Sequence, residues 1–350
     1  MPEFSRTVIV TGGAGFIGSS LCQSLVENHS DWLIVNVDCL TYAGNLANVE
    51  SIKGRPNYRF ERVSITDASS ISEVFSKYNP NGIFHLAAET HVDRSIESPS
   101  DFVATNVVGT HVLLEEARRA SQNRPFRFLH VSTDEVYGSV APGQSANEST
   151  AYHPNSPYAA SKAASDHLVN SYHATYGLQT IVTHCSNNYG PRQFPEKLIP
   201  LAIRNAIAGI PIPIYGDGLQ VRDWLAVEDH CLALELLLER GKPGESYNIS
   251  TMTDTENLNL VRLVCELLDS KLGDKNRKSL VTFVKDRPGH DRRYALDSSK
   301  ISSELGWRAS TDLKSGLART IDWYLANEAW LQGCLSGEYR KYYERMYGNR

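Results

Sequence analysis

The chain has 350 residues, which suits one large domain or two joined domains of about 100 to 200 residues each. Hydrophobic residues make up 41% and charged residues 21%, a globular composition that excludes disordered, collagen-like and disulfide-framework proteins. Lysine and arginine total 35 against 40 aspartate and glutamate, for a formal net charge of −5. Without a basic surplus, extended nucleic-acid binding is not expected, whereas a single nucleotide needs only a few local donors.

The six cysteines are widely spaced and form no C-x-x-C pair, so we expect reduced thiols and no metal site. The N-terminal residues lead directly into a strand-like run and lack the apolar stretch of a signal peptide. No segment approaches the roughly 18 consecutive apolar residues of a membrane span. These features predict a cytoplasmic protein that does not associate with membranes.

Short β-branched runs alternate with helical patterns over the first half of the chain. Strands are predicted at 7–10, 32–37, 58–63, 82–86, 126–131 and 180–183. Helices are predicted at 15–28, 69–78, 101–120 and 156–176. This alternation is typical of βαβ units, so we predict an α/β fold with a doubly wound parallel sheet over residues 1–185.

Beyond residue 185 the alternation gives way to loops rich in proline and glycine. A helical pattern at 227–239 and a strand-like run at 246–250 predict one return of the chain to the first sheet, over 227–250. Further helices are predicted at 258–272 and 314–327. We therefore expect a smaller C-terminal α/β lobe, formed by 186–226 and 251–350, which binds substrate across a cleft.

A glycine motif follows the first predicted strand. Gly12, Gly15 and Gly18 have the G-x-x-G-x-x-G spacing that lets a backbone approach a pyrophosphate at a helix N-terminus. Asp38 ends the second strand, where a carboxylate can bond a ribose 2′-OH and repel a 2′-phosphate. Cys39, and not an arginine, follows it. The pattern indicates a Rossmann-type site for NAD in preference to NADP, against the alternative of a glycine turn with an incidental acid.

A tyrosine and a lysine form the catalytic signal. Tyr158 and Lys162 are spaced i and i+4, on one face of a predicted helix, where the ammonium favours phenolate and lowers the tyrosine pKa. Such pairs are also common on surfaces. Upstream, the strand predicted at 126–131 is followed by Ser132, Thr133, Asp134 and Glu135. Ligands of open α/β sheets bind beyond the carboxyl ends of strands, so this placement favours a catalytic interpretation.

Nine stretches of the chain match the motifs of one enzyme family. They are TGGAGFIG (11–18), NVD with LTYAGN (36–38, 40–45), HLAAETHVDRS (85–95), STDEVYG (132–138), YAASK (158–162), SNNYGP (186–191), FPEKLIP (194–200), RDW (222–224) and DRPGHDRRY (286–294). On these residues the chain resembles the extended short-chain dehydrogenase/reductase family, in its nucleotide-sugar branch. The matches run almost from end to end of the chain.

The resemblance implies removal of water from dTDP-glucose through oxidation, elimination and reduction on one NAD. Tyr158, assisted by Lys162, would take the proton of the 4-OH, and Thr133 would bond that oxygen. Glu135 would remove the C5 proton while Asp134 protonates the leaving 6-OH. The product would be a 4-keto-6-deoxy sugar.

Three alternatives stay open at this point. A dehydratase of a UDP- or CDP-linked sugar would share the same motifs. A C4 epimerase would use Tyr158 and Lys162 but has no need of an acid and a base at C5 and C6, so Asp134 and Glu135 argue against it. An inactive NAD-binding scaffold protein would have no use for the paired carboxyl groups.

The resemblance also implies the binding residues. Cofactor contacts are expected at Gly12, Gly15, Phe16, Ile17, Gly18, Asp38, Leu40, Thr41, Ser64, Ile65, Leu86, Ala87, Ala88, Thr90, Thr105, Tyr158, Lys162 and Asn188. Substrate contacts are expected at Thr90, Thr133, Asn187, Glu196, Lys197, Leu198, Pro213, Ile214, Tyr215, Arg222, Asn257, Asp286, Arg287, Pro288, Gly289 and His290. Ser64 departs from the family, which usually has aspartate there, and this puts adenine affinity in question.

Two expectations concern arginines and assembly. Arg222 is the main candidate for the substrate diphosphate, with a surface ion pair as the alternative. Arg292 and Arg293 could equally belong to a solvated face. The helices predicted at 101–120 and 156–176 resemble the family's dimer-forming pair, so a homodimer is expected. His184 is given no role.

Overall fold

The computed structural model describes residues 4–273 and 275–335. The predicted lobes also include residues 1–3, 274 and 336–350, which lie outside the described residues. None of the helices in the described part is long and apolar enough to cross a membrane.

The described chain alternates strands and helices. The strands are β1 (Arg6–Thr11), β2 (Trp32–Val37), β3 (Tyr58–Glu61), β4 (Gly82–His85), β5 (Arg127–Thr133), β6 (Gln179–Cys185), β7 (Asn187–Tyr189), β8 (Ile212–Tyr215), β9 (Val221–Ala226), β10 (Ser246–Ile249), β11 (Asp254–Glu256) and β12 (Val281–Val284). The α-helices are α1 (Phe16–Asn28), α2 (Ala68–Tyr78), α3 (Val92–Glu97), α4 (Pro99–Phe102), α5 (Thr110–Ser121), α6 (Pro157–Tyr176), α7 (Leu198–Ala208), α8 (Val227–Arg240), α9 (Asn257–Leu272), α10 (Ser299–Leu305), α11 (Leu313–Ala326) and α12 (Glu328–Cys334).

A parallel sheet with the order β10-β6-β5-β4-β1-β2-β3 forms the centre of the described structure. Alternate side chains of β1 face opposite sides: Val8 and Val10 pack with Leu21 of α1, and Ile9 packs with Leu113 of α5. Helices therefore cover both faces, which confirms the doubly wound Rossmann-type fold. The chain also returns to this sheet, since β10 pairs in parallel with β6.

Helix α6 places the tyrosine and lysine of the catalytic signal, and its start is set by the sequence. Ser156 Oγ accepts a hydrogen bond from the backbone N–H of Ala159, and Pro157 occupies the first helical position. The helix ends at Gly177, whose φ of +69° is the left-handed conformation that glycine adopts readily. Tyr158 and Lys162 both lie on its buried side.

A smaller lobe follows the central sheet. It contains a β11-β9-β7 sheet and a β12-β8 pair. Its core joins Ile203 of α7, Val264 of α9 and Ile321 of α11, all fully buried. The smaller C-terminal α/β lobe is thus present, while the exact division of the chain into domains stays a prediction.

Most observed bounds lie within two residues of the predicted ones, and the helix predicted at 101–120 differs most. Strand β5 continues to Thr133, because it pairs with β6 as far as Thr133 opposite Cys185. Strand β3 ends at Glu61 instead of continuing to residue 63. The helix predicted at 101–120 begins at Pro99 and passes through a π-helical segment, Val103–Gly109, before α5. Such segments insert a wider turn into a helix and are frequent at functional sites.

Candidate active site

Two adjoining cavities lie beyond the carboxyl ends of the central strands. The long cavity runs from the β1–α1 turn to Tyr158 and Lys162. The adjoining cavity lies against the smaller lobe, around Arg222 and Arg287. Both are lined by the same six residues where they meet: Glu135, Asn187, Asn188, Gln193, Glu196 and Lys197. A ligand in one cavity can therefore touch a ligand in the other.

The glycine turn at one end of the long cavity has the geometry that its sequence requires. Gly12 has a φ of +71°, and a Cβ there would lie 2.8 Å from the backbone N of Ala87. A Cβ on Gly18 would collide with the Gly12 carbonyl. Helix α1 starts after Gly15, and no side chain caps it. The residues of its first turn line the cavity, where their backbone N–H groups can donate to a ligand. This turn fits a pyrophosphate.

Asp38 lies beside that turn at the end of β2. Its Oδ2 accepts from the backbone N–H of Ala14 at 3.0 Å, and its Oδ1 accepts from Leu40 N–H at 2.8 Å. Burial raises the pKa of Asp38, and these two hydrogen bonds oppose that rise. Because each carboxylate oxygen keeps further lone pairs and the side chain lines the cavity, it can also accept from ribose hydroxyls.

All but one of the expected cofactor residues line the long cavity. Leu40 does not line it; at a φ of +59° its backbone N–H holds Asp38 instead. Ser64 lines the cavity, and its hydroxyl bonds the Thr66 hydroxyl at 2.8 Å. The effect of Ser64 on adenine binding stays a prediction.

Thr133, Asp134 and Glu135 lie at the end of β5 and in the first turn of the short 3₁₀ helix Asp134–Tyr137. Thr133 Oγ1 donates to Asp134 Oδ1 at 3.1 Å and accepts from Glu135 N–H at 3.3 Å. Asp134 is buried, and its Oδ2 has no hydrogen-bond partner among the described residues. Since Asp134 lines the cavity, this oxygen is available to a ligand.

The two carboxyl groups are electrostatically different. Burial and the charge of Glu135 raise the pKa of Asp134 to about 7, which leaves a large protonated fraction at neutral pH. Burial also raises the pKa of Glu135, but the positive charges of Arg287 and Arg222 oppose it. One carboxyl group is therefore suited to donate a proton and the other to accept one.

Tyr158 lines the same cavity as Asp134. Its surroundings contradict the expectation that its pKa is lowered. Burial, followed by the charge of Glu135, raises the pKa of Tyr158 well above its usual value, although contact with Thr133 opposes this. Lys162 Nζ donates to the carbonyl of Val131 at 2.9 Å. The predicted lowering of the tyrosine pKa therefore does not occur, because desolvation of the phenolate is the largest effect.

Two arginines line the adjoining cavity, of which Arg222 is buried and Arg287 is partly exposed. Arg222 donates to the carbonyls of Val221 and Asp291 and lies 4.1 Å above the Tyr294 ring. The Nη1 of Arg287 lies 3.3 Å from Asp93 Oδ1. Arg222 is thus a buried cavity residue, and the alternative of a surface ion pair is wrong.

Most of the expected substrate residues line one of the two cavities. Asp286, Pro288 and Gly289 line neither, although Asp286 bonds His290 Nδ1 at 2.6 Å and so orients a residue that does. Arg292 and Arg293 also line neither cavity. Arg292 is exposed and pairs with Asp217, as expected for the solvated-face alternative. Arg293 pairs with Asp254, but its side chain is only 11% exposed and also donates to the carbonyls of Ala141 and Gln144.

Sequence reasoning missed a second group of polar residues. His130, Asp166 and His184 are completely buried behind Lys162. Asp166 follows Lys162 by four residues on α6, so the helical spacing that links Tyr158 to Lys162 could have included it. The two histidines lie on β5 and β6, and only the sheet pairing brings them to this helix.

Comparisons with known proteins agree with this geometry. A family model described as GDP-mannose 4,6 dehydratase matches residues 9–320. A dTDP-glucose 4,6-dehydratase of Shigella flexneri is 50% identical over 359 aligned residues, covering 98% of this chain and 99% of that protein.

Solved structures give the same result. A dTDP-glucose 4,6-dehydratase from Streptomyces venezuelae, solved with NAD bound, superposes with a TM-score of 0.87 at 45% identity, over 94% of this chain and 99% of that one. A UDP-glucose 4-epimerase from Thermotoga maritima superposes with a TM-score of 0.83 at 30% identity, over 92% of this chain and 99% of that one.

Proposed function

The chain belongs to the 4,6-dehydratase family of nucleotide-sugar enzymes, and from this premise we propose that it is a dTDP-glucose 4,6-dehydratase that uses NAD. The observation that carries the proposal is the group formed by Thr133, Asp134 and Glu135 with Tyr158, at the junction of the two cavities. The reaction is a hydro-lyase reaction: dTDP-glucose loses water and becomes dTDP-4-dehydro-6-deoxy-glucose.

The residues of the long cavity fit NAD. The first turn of α1 would bind the pyrophosphate, and Asp38 would bind the adenosine ribose. When bound, NAD supplies a hydride acceptor for C4, a hydride donor for C6 and a positive nicotinamide charge. Asn188, whose Oδ1 lies 2.9 Å from His230 Nδ1, lines the junction of the cavities at the nicotinamide end.

Tyr158 acts as the base for the sugar 4-OH. Because burial holds its pKa high, deprotonation depends on positive charge brought next to the phenol, and Lys162 one helical turn away is this chain's own source. Thr133 bonds the same sugar oxygen and holds it against Tyr158. The 4-OH loses its proton to Tyr158 as C4 becomes a ketone.

The 4-ketone acidifies the C5 hydrogen, and the two carboxyl groups then complete the elimination. Glu135, whose charged form is favoured by Arg287 and Arg222, removes the C5 proton. Asp134, with a pKa of about 7, donates a proton from its unpartnered Oδ2 to the departing 6-OH, which leaves as water. Glu135 returns its proton to C5 as C6 is reduced.

One proton must move inside the site to close the cycle. Each turnover leaves Tyr158 with the proton of the 4-OH and leaves Asp134 without the proton it gave to water. Thr133 is in contact with Tyr158 and donates to Asp134 Oδ1, so its hydroxyl connects the two groups. It can accept a proton from Tyr158 and pass its own to Asp134.

The adjoining cavity supplies cations for a dianionic diphosphate. Arg222, Arg287 and Lys197 line it, and guanidinium groups form bidentate bonds with phosphate. The chain is acidic overall, but these cations are gathered at one place.

Assembly and location complete the proposal. Val103 and Val108 are 53% and 48% exposed on the π-helical segment, and Tyr176 is 56% exposed at the end of α6. These side chains lie on packed neighbouring helices and support a homodimer formed through them. The six cysteines are free, which is compatible with a cytoplasmic location.

The test is incubation of the purified protein with dTDP-glucose, UDP-glucose or CDP-glucose, without added reductant. A 4-keto-6-deoxy product from dTDP-glucose, detected by its near-ultraviolet absorbance in alkali, supports the proposal. Preferential turnover of another nucleotide sugar would reassign the substrate, and a galactose product would indicate a C4 epimerase. No turnover of any of the three would indicate an NAD-binding scaffold.

A further inference from the structure

The buried polar group behind Lys162 is outside the machinery described so far. His130, Asp166 and His184 have no solvent exposure and line neither cavity. They lie on three different elements, β5, α6 and β6, that meet beneath the catalytic tyrosine and lysine. A buried carboxylate costs free energy unless a cation compensates it, so this group requires an explanation.

His130 lies between the lysine and the carboxylate. Its Nε2 is 3.4 Å from Lys162 Nζ and 3.2 Å from Asp166 Oδ1. Among the described residues, neither His130 Nδ1 nor Asp166 Oδ1 has another hydrogen-bond partner. Because the same nitrogen makes both contacts, the neutral imidazole can accept from the ammonium or donate to the carboxylate, one at a time, and it lies between the two charges.

The other oxygen of Asp166 is firmly held. Oδ2 accepts from Ser132 Oγ at 2.8 Å and lies 3.3 Å from His184 Nε2. The Tyr152 hydroxyl lies 2.8 Å from that same nitrogen, and the Tyr137 hydroxyl is 3.1 Å from His184 Nδ1. These contacts fix the carboxylate in one orientation, with Oδ1 directed to His130.

The charge states identify the compensating cation. Burial opposes ionisation of Asp166, but its contacts with His130 and His184 hold the pKa well below the usual value. Burial and the charge of Lys162 lower the pKa of His130 to about 4, so that imidazole is neutral at pH 7. Cys185 and the neutral His85, whose pKa burial lowers, also interact with Lys162, and Tyr158 lies one helical turn before it on α6.

Lys162 itself is in a marginal position. Burial lowers its pKa to about 8, and the negative charge of Asp166 opposes that fall. An ammonium group at this depth would lose its proton near neutral pH without a nearby anion.

We propose that Asp166 is the counter-ion of Lys162, with His130 between the two groups. Asp166 is then a positioning residue, which keeps the ammonium group charged where Lys162 lines the long cavity. The benefit to catalysis rests on the proposed function, since a charged Lys162 favours the phenolate of Tyr158. The charge pairing itself does not depend on which substrate is used. Tyr158, Lys162 and Asp166 thus form a run with i, i+4, i+8 spacing on one helix.

The direct test is an NMR titration of the whole protein with ¹³C-labelled lysine Cε atoms. Lys162→Met identifies the Lys162 resonance. We expect a titration midpoint near 8 in the unmodified protein, and a midpoint lower by about one unit or more in Asp166→Asn. An unchanged Lys162 midpoint in Asp166→Asn overturns the proposal, and a shift confined to a His184 resonance assigns the counter-ion role to that histidine.

Tyr152→Phe is the matched control. It removes a hydroxyl that contacts His184 and Asp166 but removes no charge, and Tyr152 lines neither cavity. Its Lys162 midpoint should equal that of the unmodified protein. A purely structural role for the network would instead give both variants the same titration and a similar loss of thermal stability.

A stability cycle keeps the proposal testable if Asp166→Asn folds poorly. The double variant Asp166→Asn with Lys162→Met removes both charges, so its melting temperature should lie above that of Asp166→Asn alone. A double variant no more stable than Asp166→Asn contradicts the pairing. Failure of dTDP-glucose turnover would refute the proposed function and leave both of these readouts unaffected.

Activity gives a further readout once turnover is established. Because Asp134 also titrates, near 7, the comparison is made in the Asp134→Asn background, whose residual kcat should fall as pH rises through the pKa of Lys162. Asp166→Asn should move this alkaline fall to lower pH, while Tyr152→Phe should leave it in place. If kcat falls at the same pH in all three proteins, Asp166 does not control the protonation of Lys162, and the proposal is wrong.

Discussion

Asp134 and Glu135 are adjacent in sequence, yet their surroundings give them opposite tasks. Asp134 is near its pKa at neutral pH because it is buried beside a second carboxylate. Glu135 has Arg287 and Arg222 to stabilise its charge. Two neighbouring carboxyl groups whose charged forms have different neighbours can act as acid and base in one step.

Glu135→Gln should permit oxidation at C4 and block elimination. The amide cannot take the C5 proton, so kcat should fall by about 10²- to 10⁴-fold, the usual contribution of a general base. Reduced cofactor should accumulate on the enzyme, as near-ultraviolet absorbance shows. Glu61→Gln, which lies outside both cavities, is the control. Unchanged turnover in Glu135→Gln would exclude Glu135 as the C5 base.

The acid role of Asp134 predicts a pH dependence. Its pKa is raised to about 7, and only the protonated form can donate to the 6-OH. The value of kcat/KM, which reports the free enzyme, should therefore fall as pH rises through about 7. The residual activity of Asp134→Asn should lack that fall. If kcat/KM of Asp134→Asn falls at the same pH, another group is responsible for the pH dependence.

At the scale of elements, the turn between β1 and α1 determines whether NAD can bind. Gly12 has a positive φ and lies against the backbone of Ala87, the chain segment that follows β4. Two parallel strands therefore meet at a point with no room for a side chain. The strand order places this point where β1 separates β2 from β4, the switch point of the sheet.

Gly12→Ala should lower both stability and NAD content. The added Cβ lies 2.8 Å from Ala87 N, and the φ of +71° is unfavourable for alanine. Gly54→Ala is a matched control, because Gly54 has a φ of +88° with nothing within 4 Å of its Cβ position. We expect about 1–2 kcal/mol of destabilisation for Gly54→Ala with NAD retained. Gly12→Ala should cost more and lose NAD, as measured by thermal unfolding and cofactor absorbance; equal effects would contradict the close approach.

The elements also show how far sequence reasoning reaches. The glycine turn, Asp38 and the Tyr158–Lys162 pair are local patterns, so periodicity and spacing located them. His130, Asp166 and His184 come together only through the pairing of β5 with β6 and the packing of α6, which no local pattern encodes. The π-helical segment was predicted as ordinary helix, because its residues keep helical propensity and only its hydrogen bonds differ.

At the scale of the whole molecule, the site is assembled from both lobes. The Tyr42 hydroxyl donates to Glu196 at 2.9 Å, and Asp93 contacts both Tyr215 and Arg287. These buried contacts join the NAD-binding lobe to the smaller lobe around the cavities. The chain has a net charge of −5, yet Lys197, Arg222 and Arg287 all line the adjoining cavity.

Val103→Asp should convert the proposed homodimer to a monomer. A carboxylate placed in an apolar interface remains uncompensated and prevents association. Leu232→Asp is the control, since Leu232 is equally exposed, at 50%, but lies on α8 on the opposite face of the sheet. Light scattering should give a monomer for Val103→Asp and a dimer for Leu232→Asp. A dimer in both variants would place the interface elsewhere.

If the proposed function is correct, the hydride that leaves C4 of the sugar returns to C6 of the same molecule by way of one bound NAD. The most direct measurement uses dTDP-glucose deuterated at C4, with the product analysed by NMR. We predict that the deuterium appears in the C6 methyl group of a 4-keto-6-deoxy sugar, with no loss to solvent. Deuterium retained at C4, or a product without deuterium at C6, would contradict transfer of the C4 hydrogen to C6.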